Sequence, residues 1–162
     1  MSALNEQLGE RSMGNRAYKA GRFDEALASY TRALSILDFV AGVSAADQAE
    51  VIKNKGVVLW NMAAAHLGLA ECGAAVARCT EALALRPPPE PEFEVKLLLR
   101  RAKAHAQRRD YALAEADLEA VKAIEPWNFD AEDAAANMRR LRARDASADK
   151  AFAAAALRAS GK

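Results

Sequence analysis

Gly14-Asn15-Arg16-Ala17-Tyr18-Lys19-Ala20-Gly21-Arg22-Phe23-Asp24-Glu25-Ala26-Leu27 sets the architecture, because the chain uses its pattern three times. Small Gly14 returns as Ala63 and Ala102, and Ala26 as Ala75 and Ala114. Tyr30 returns as Cys79 and Leu118, and Ala33 as Ala82 and Val121. The successive offsets are 49 and 39 residues, one 34-residue period lengthened first by 15 and then by 5. A repeat of that length is a supersecondary unit that buries its apolar face only by stacking on a neighbour. Small positions let the two helices of a unit approach closely, and the larger ones fill the space between units. Gly21-Arg22-Phe23-Asp24 reads as the turn inside the first unit and Arg109-Asp110-Tyr111 as its counterpart in the third. Pro87 and Pro126 stop the second helix of units two and three, with Asp38 in the matching place of unit one.

The partition gives repeats over 7–40, 56–89 and 95–128, separated by insertions at 41–55 and 90–94, all within one domain over 1–162. Ser44-Ala45-Ala46-Asp47 reads as a helix start, so the first helix of unit two is expected to begin near Ala46 and run to about Leu69. Pro87-Pro88-Pro89-Glu90-Pro91 is a stiff connector that cannot lie mid-helix. From Asn128 to Arg158, Ala134, Met138, Leu141, Ala148, Phe152 and Ala155 share one face, and Arg139, Arg140, Arg142 and Arg144 the other. This predicts an amphipathic helix over about 129–158 that caps the open apolar end of the stack, with a solvated arginine face. A bend is expected at Asp145-Ala146-Ser147.

Composition agrees with an all-α chain that folds. Of 162 residues, 52% are hydrophobic, 28% charged and only 6% aromatic, with alanine abundant. A formal charge of +1 lacks the basic excess of a nucleic-acid binder. No apolar run reaches the length of a bilayer span, and Met1–Gln7 lacks the pattern of a signal peptide, so no membrane attachment is expected. Two cysteines cannot build a disulfide framework, which points to a reducing, cytoplasmic setting.

Catalysis finds no support. His66 and His105 are 39 residues apart, the repeat offset, and read as equivalent packing positions with no carboxylate or cysteine at a telling spacing. Cys72 and Cys79 have no second Cys/His pair to complete a zinc site, and Cys79 falls in the Tyr30/Leu118 core column. There is no phosphate loop and no nucleophile elbow. No catalytic residue, metal site or cofactor is expected.

Polar residues on the first helices of the units carry the functional signal. Arg11 and Asn15 are four apart and share a face, Asn61 lies on the next such helix, and Lys96 and Arg100 are four apart on the third. The 34-residue unit resembles the tetratricopeptide repeat. Arg11-Ser12-Met13-Gly14-Asn15, Asn61-Met62-Ala63-Ala64 and Lys96-Leu97-Leu98-Leu99-Arg100 resemble the carboxylate-clamp subgroup found in co-chaperones of heat-shock proteins 90 and 70. The layout of the first insertion and final helix is most similar to the repeat domain of the large immunophilins.

The resemblance implies a right-handed superhelical stack of three helix pairs whose concave groove binds a Glu-Glu-Val-Asp chain end. Arg11, Asn15 and Asn61 would hold the terminal α-carboxylate and Lys96 the aspartate side chain. Arg100 would reach acceptors further up the peptide, and Lys103 would assist with the glutamates. Trp60, Ala64 and Leu67 would shape the apolar pocket for valine. Arg11 stands where the family usually has lysine, replacing a compact ammonium by a planar fork. The expected partner is the chaperone tail, bound by a monomeric, non-catalytic adaptor. The alternative is a general interaction scaffold that recognises another peptide or surface without clamp activity.

Overall fold

The computed structural model describes residues 3–40 and 45–160, and among these every regular element is helical. The elements are α1 (Ala3–Lys19), α2 (Phe23–Val40), α3 (Ala45–Gly68), α4 (Cys72–Leu83), α5 (Pro91–Gln107), α6 (Tyr111–Ile124) and α7 (Phe129–Ser160). α1/α2, α3/α4 and α5/α6 are the hairpin pairs, each pair stacks on the next, and α7 lies against α5 and α6. The first helices of the pairs also touch, α1 to α3 and α3 to α5, so they run side by side along one face.

The small columns of the repeat are where the helices close up. Ala26, Ala75 and Ala114 are fully buried, as are Ala33, Ala82 and Val121. Gly14 lies so close to the Tyr30 ring that a Cβ there would sit 2.5 Å from a ring carbon. The larger column, Tyr30, Cys79 and Leu118, is buried as well. Burial pushes the Cys79 thiol up to about 11. Beyond the apolar layers, Arg101 donates to both carboxylate oxygens of buried Asp117, at 2.9 and 2.6 Å, and to Thr80 at 3.1 Å. This bidentate pair ties α5 to α6 and α4.

All three hairpins turn the same way. Gly21, Ala70 and Arg109 have φ of 73°, 59° and 68°. In each case the next residue's N–H returns to a carbonyl five positions back: Arg22 to Ala17, Glu71 to His66 and Asp110 to His105, at 3.0, 2.8 and 2.9 Å. These are Schellman caps spaced by the repeat offsets. The caps also correct the reading of the histidines. The turn carries Glu71 to 2.7 Å from His66 Nδ1 and Asp110 to 3.8 Å from His105 Nδ1, giving each ring a carboxylate neighbour.

Four details differ from the sequence reading. Ala148, Phe152 and Ala155 of the expected capping face are exposed, because α7 extends past the third hairpin and only its first half packs on the stack. α5 begins at Pro91, because a proline is tolerated at the first helical position. α2 continues past Asp38 to Val40, since nothing there blocks a helix as Pro87 and Pro126 do after α4 and α6. α7 is unbroken through Asp145–Ser147. Asp145 is taken by the Tyr111 hydroxyl and by Arg109 at 3.1 Å, so its carboxylate does not compete for its own backbone. The expected helix start at Ser44 lies outside the described residues.

Candidate peptide-binding groove

A groove of about 870 Å³ opens along the face formed by α3, α5 and α7, with Tyr18 of α1 at its edge. Trp60, Ala64 and Leu67 line it from α3, and Lys96, Arg100 and Lys103 from α5. Their positions follow from helical spacing: residues three, four and seven apart share a face.

At the α1 end, Asn15 Oδ1 accepts from the Tyr30 hydroxyl at 2.8 Å and from Asn61 Nδ2 at 3.1 Å. The two asparagines of the predicted set therefore meet across α1 and α3. With its oxygen spent, Asn15 keeps both amide N–H donors for a ligand. Tyr30 is pushed up to about 12, chiefly by burial and next by Tyr18, with Arg100 opposing. Its hydroxyl is thus a standing donor to Asn15 at neutral pH. Sequence reading placed Tyr30 in the core and missed this second duty, because the contact crosses the hairpin.

Arg100 is held from two sides. Its Nη1 donates to the Trp60 backbone oxygen at 2.6 Å, and its Cζ stands 3.7 Å from the Trp60 ring centroid. Burial pulls its pKa down, partly offset by Cys79, Tyr18 and Tyr30. The site keeps a cation in a poorly hydrated place, where its field is strong. Lys96 and Lys103 are exposed and make no ion pair among the described residues. Arg11 is placed differently: its Nη1 donates to Asn54 Oδ1 at 3.1 Å, toward the start of α3. Asn54 belongs to the 41–55 insertion, which the repeat pattern sets aside.

The far wall, from α7, carries Asp130, Asp133 and Asn137 above Ala134 and Met138. Reading α7 as an apolar face and an arginine face passed over these three. Spacing from Ala134 and Met138 would have found them, since 130, 133 and 137 share that side of the helix. The groove therefore has a cationic wall on α5 and an anionic one on α7.

No protein-family model matches the chain. Mouse mitochondrial import receptor subunit TOM34 is 38% identical over 120 residues, which cover 74% of this chain and 34% of that protein. The chain thus spans about a third of the length of this curated relative and of its human counterpart. Among solved structures, the Arabidopsis OM64 tetratricopeptide domain superposes with a TM-score of 0.66 at 26% identity, covering 86% of this chain and 98% of that one. The first tetratricopeptide domain of Spaghetti (RPAP3), bound to the HSP90 peptide SRMEEVD, gives 0.65 at 25% identity, covering 86% and 94%. A stack of helical hairpins with a polar groove along one face defines a helical repeat domain. This chain is a tetratricopeptide repeat domain.

Proposed function

We propose that the groove docks the acidic C-terminal tail of heat-shock protein 90 or 70, and that the chain works as a monomeric, non-catalytic adaptor in the cytoplasm. The observation that carries this reading is the Asn15–Asn61 pair, which keeps amide donors on α1 and α3, together with Lys96 and Lys103, which line the groove from α5 and make no ion pair among the described residues. Amide donors orient a terminal α-carboxylate without adding charge, and an ammonium neutralises the aspartate side chain beside it. Ala64 and Leu67 offer apolar surface for the intervening valine. Arg100 offers the edge of its guanidinium not spent on Trp60 to acceptors further up the tail. Arg11 can join the terminal carboxylate with the guanidinium N–H groups that Asn54 does not use. The HSP90 peptide on the similar Spaghetti domain supports this class of ligand. Among the described residues no helix is long and apolar enough to cross a membrane.

Titration calorimetry with MEEVD-ended peptides tests the reading. Affinity near micromolar is expected, about −8 kcal/mol, falling steeply as salt screens the ionic contacts. Amidation of the peptide C-terminus, or Lys96→Ala, should each weaken binding by about ten-fold, the loss of a charge-assisted contact. Equal binding of free and amidated peptide overturns the proposal in favour of a general scaffold.

A further inference from the structure

We infer that Trp60, braced by Phe93, is a positioning residue: it pins Arg100 flat against the groove wall and fixes which edge of the guanidinium a bound tail can use. The inference rests on the docking reading above and assigns Trp60 a role beyond that of an apolar wall.

The pin is built from several layers. Arg100 lies over the indole at 3.7 Å and donates to the backbone oxygen of the same residue at 2.6 Å, so ring and carbonyl hold it together. An arginine free in water samples many rotamers; one stacked and hydrogen-bonded has already lost them before the peptide arrives. The indole is itself fixed. Phe93 meets it edge-on with centroids 6.3 Å apart, and both pack on the buried Leu59, Ala82 and Leu97. Phe93 in turn sits over Gly56, where a Cβ would come to 3.1 Å from its ring. Trp60 Nε1 is buried with no hydrogen-bond partner, so packing, not a hydrogen bond, sets the ring's orientation. Phe93 does not line the groove, and it lies in the 90–94 insertion outside the repeat pattern.

The pin has a chemical consequence. With Nη1 on the Trp60 carbonyl and one face on the indole, Arg100 presents its remaining N–H groups and its other face to the groove. A carboxylate or carbonyl of the tail meets a donor already aimed at it from a half-buried position.

A double-mutant cycle on the full chain tests this, with SRMEEVD as the probe and calorimetry as the readout. Trp60→Leu should weaken binding by about ten-fold, and Trp60→Phe, which keeps a ring under the guanidinium, by no more than about three-fold. Phe93→Ala should weaken binding by about three-fold without touching the peptide. In an Arg100→Ala background, Trp60→Leu should add little, because the two residues act as one unit. Equal losses from Trp60→Leu with and without Arg100 overturn the inference and leave Trp60 an apolar wall. If the wild-type chain binds no such peptide, the docking reading falls. The pin is then judged by thermal melts, where Trp60→Leu and Arg100→Ala must still be non-additive or the inference falls as well.

Discussion

Asn15 owes its orientation to a tyrosine ring that belongs to the core. Its oxygen takes hydrogen bonds from Tyr30 and Asn61, which leaves its N–H groups as the donors a ligand could use. Tyr30→Phe removes one of those bonds while keeping the ring. Stability should fall by about 1 kcal/mol and tail affinity by about three-fold, read from urea melts and calorimetry. Cys79, at the equivalent place one unit on, gives a pH signature. Its thiol is raised from 9.0 to about 11, so the folded chain holds this proton more tightly than the unfolded one. Stability from this group is intact below about pH 9 and is lost as pH rises toward 11. The urea midpoint should drop across that window, and Cys79→Ala should flatten the drop. Asn15 and Asn61 were legible because repeat spacing places them on neighbouring helices. Their link to Tyr30, and that of Arg100 to Trp60, were not, since both are contacts between residues far apart in sequence.

Among the elements, the three Schellman caps show what the repeat offset reveals and what composition hides. Gly21 announces its turn by residue type; Ala70 and Arg109 occupy the same left-handed conformation and announce nothing except by their spacing. A side chain there is strained, whereas glycine is not. Ala70→Gly should therefore stabilise the chain by about 0.5–1 kcal/mol, measured as a higher urea midpoint at unchanged slope. The same change at Arg109 should gain less or lose, because Arg109 also pairs with Asp145 and Asp149 and so holds α7 down. The amphipathic pattern of α7 was readable, but its continuity was not. It depends on Tyr111 and Arg109 engaging Asp145, a contact set by the packing of the third unit.

For the molecule as a whole, the side-by-side order of α1, α3, α5 and α7 would fix the order in which a docked tail meets them. Packed helices lie roughly 8–10 Å apart and an extended peptide advances about 3.3–3.6 Å per residue. A tail whose terminus sits at Asn61 on α3 thus reaches α7, two helix spacings away, about five residues upstream. There it meets Asp130 and Asp133, which have no ion-pair partner among the described residues. SRMEEVD should consequently bind a few-fold more tightly than SEMEEVD, and Asp133→Asn should narrow the gap, as competition binding will report. The last turns of α7 stand apart from all this. Every described side chain from 151 to 160 is exposed, so deleting that stretch should leave the melting temperature unchanged.

Gly14 and Asn15 are consecutive, and both rest on the same phenol: the glycine's backbone against its ring and the asparagine's amide on its hydroxyl. A tail that immobilises Asn15 thereby also quiets a side chain rooted in α2, a helix absent from the groove lining. Ligand occupancy should be recorded as slowed amide deuteration along the convex side of the first hairpin, behind the surface that makes the contact.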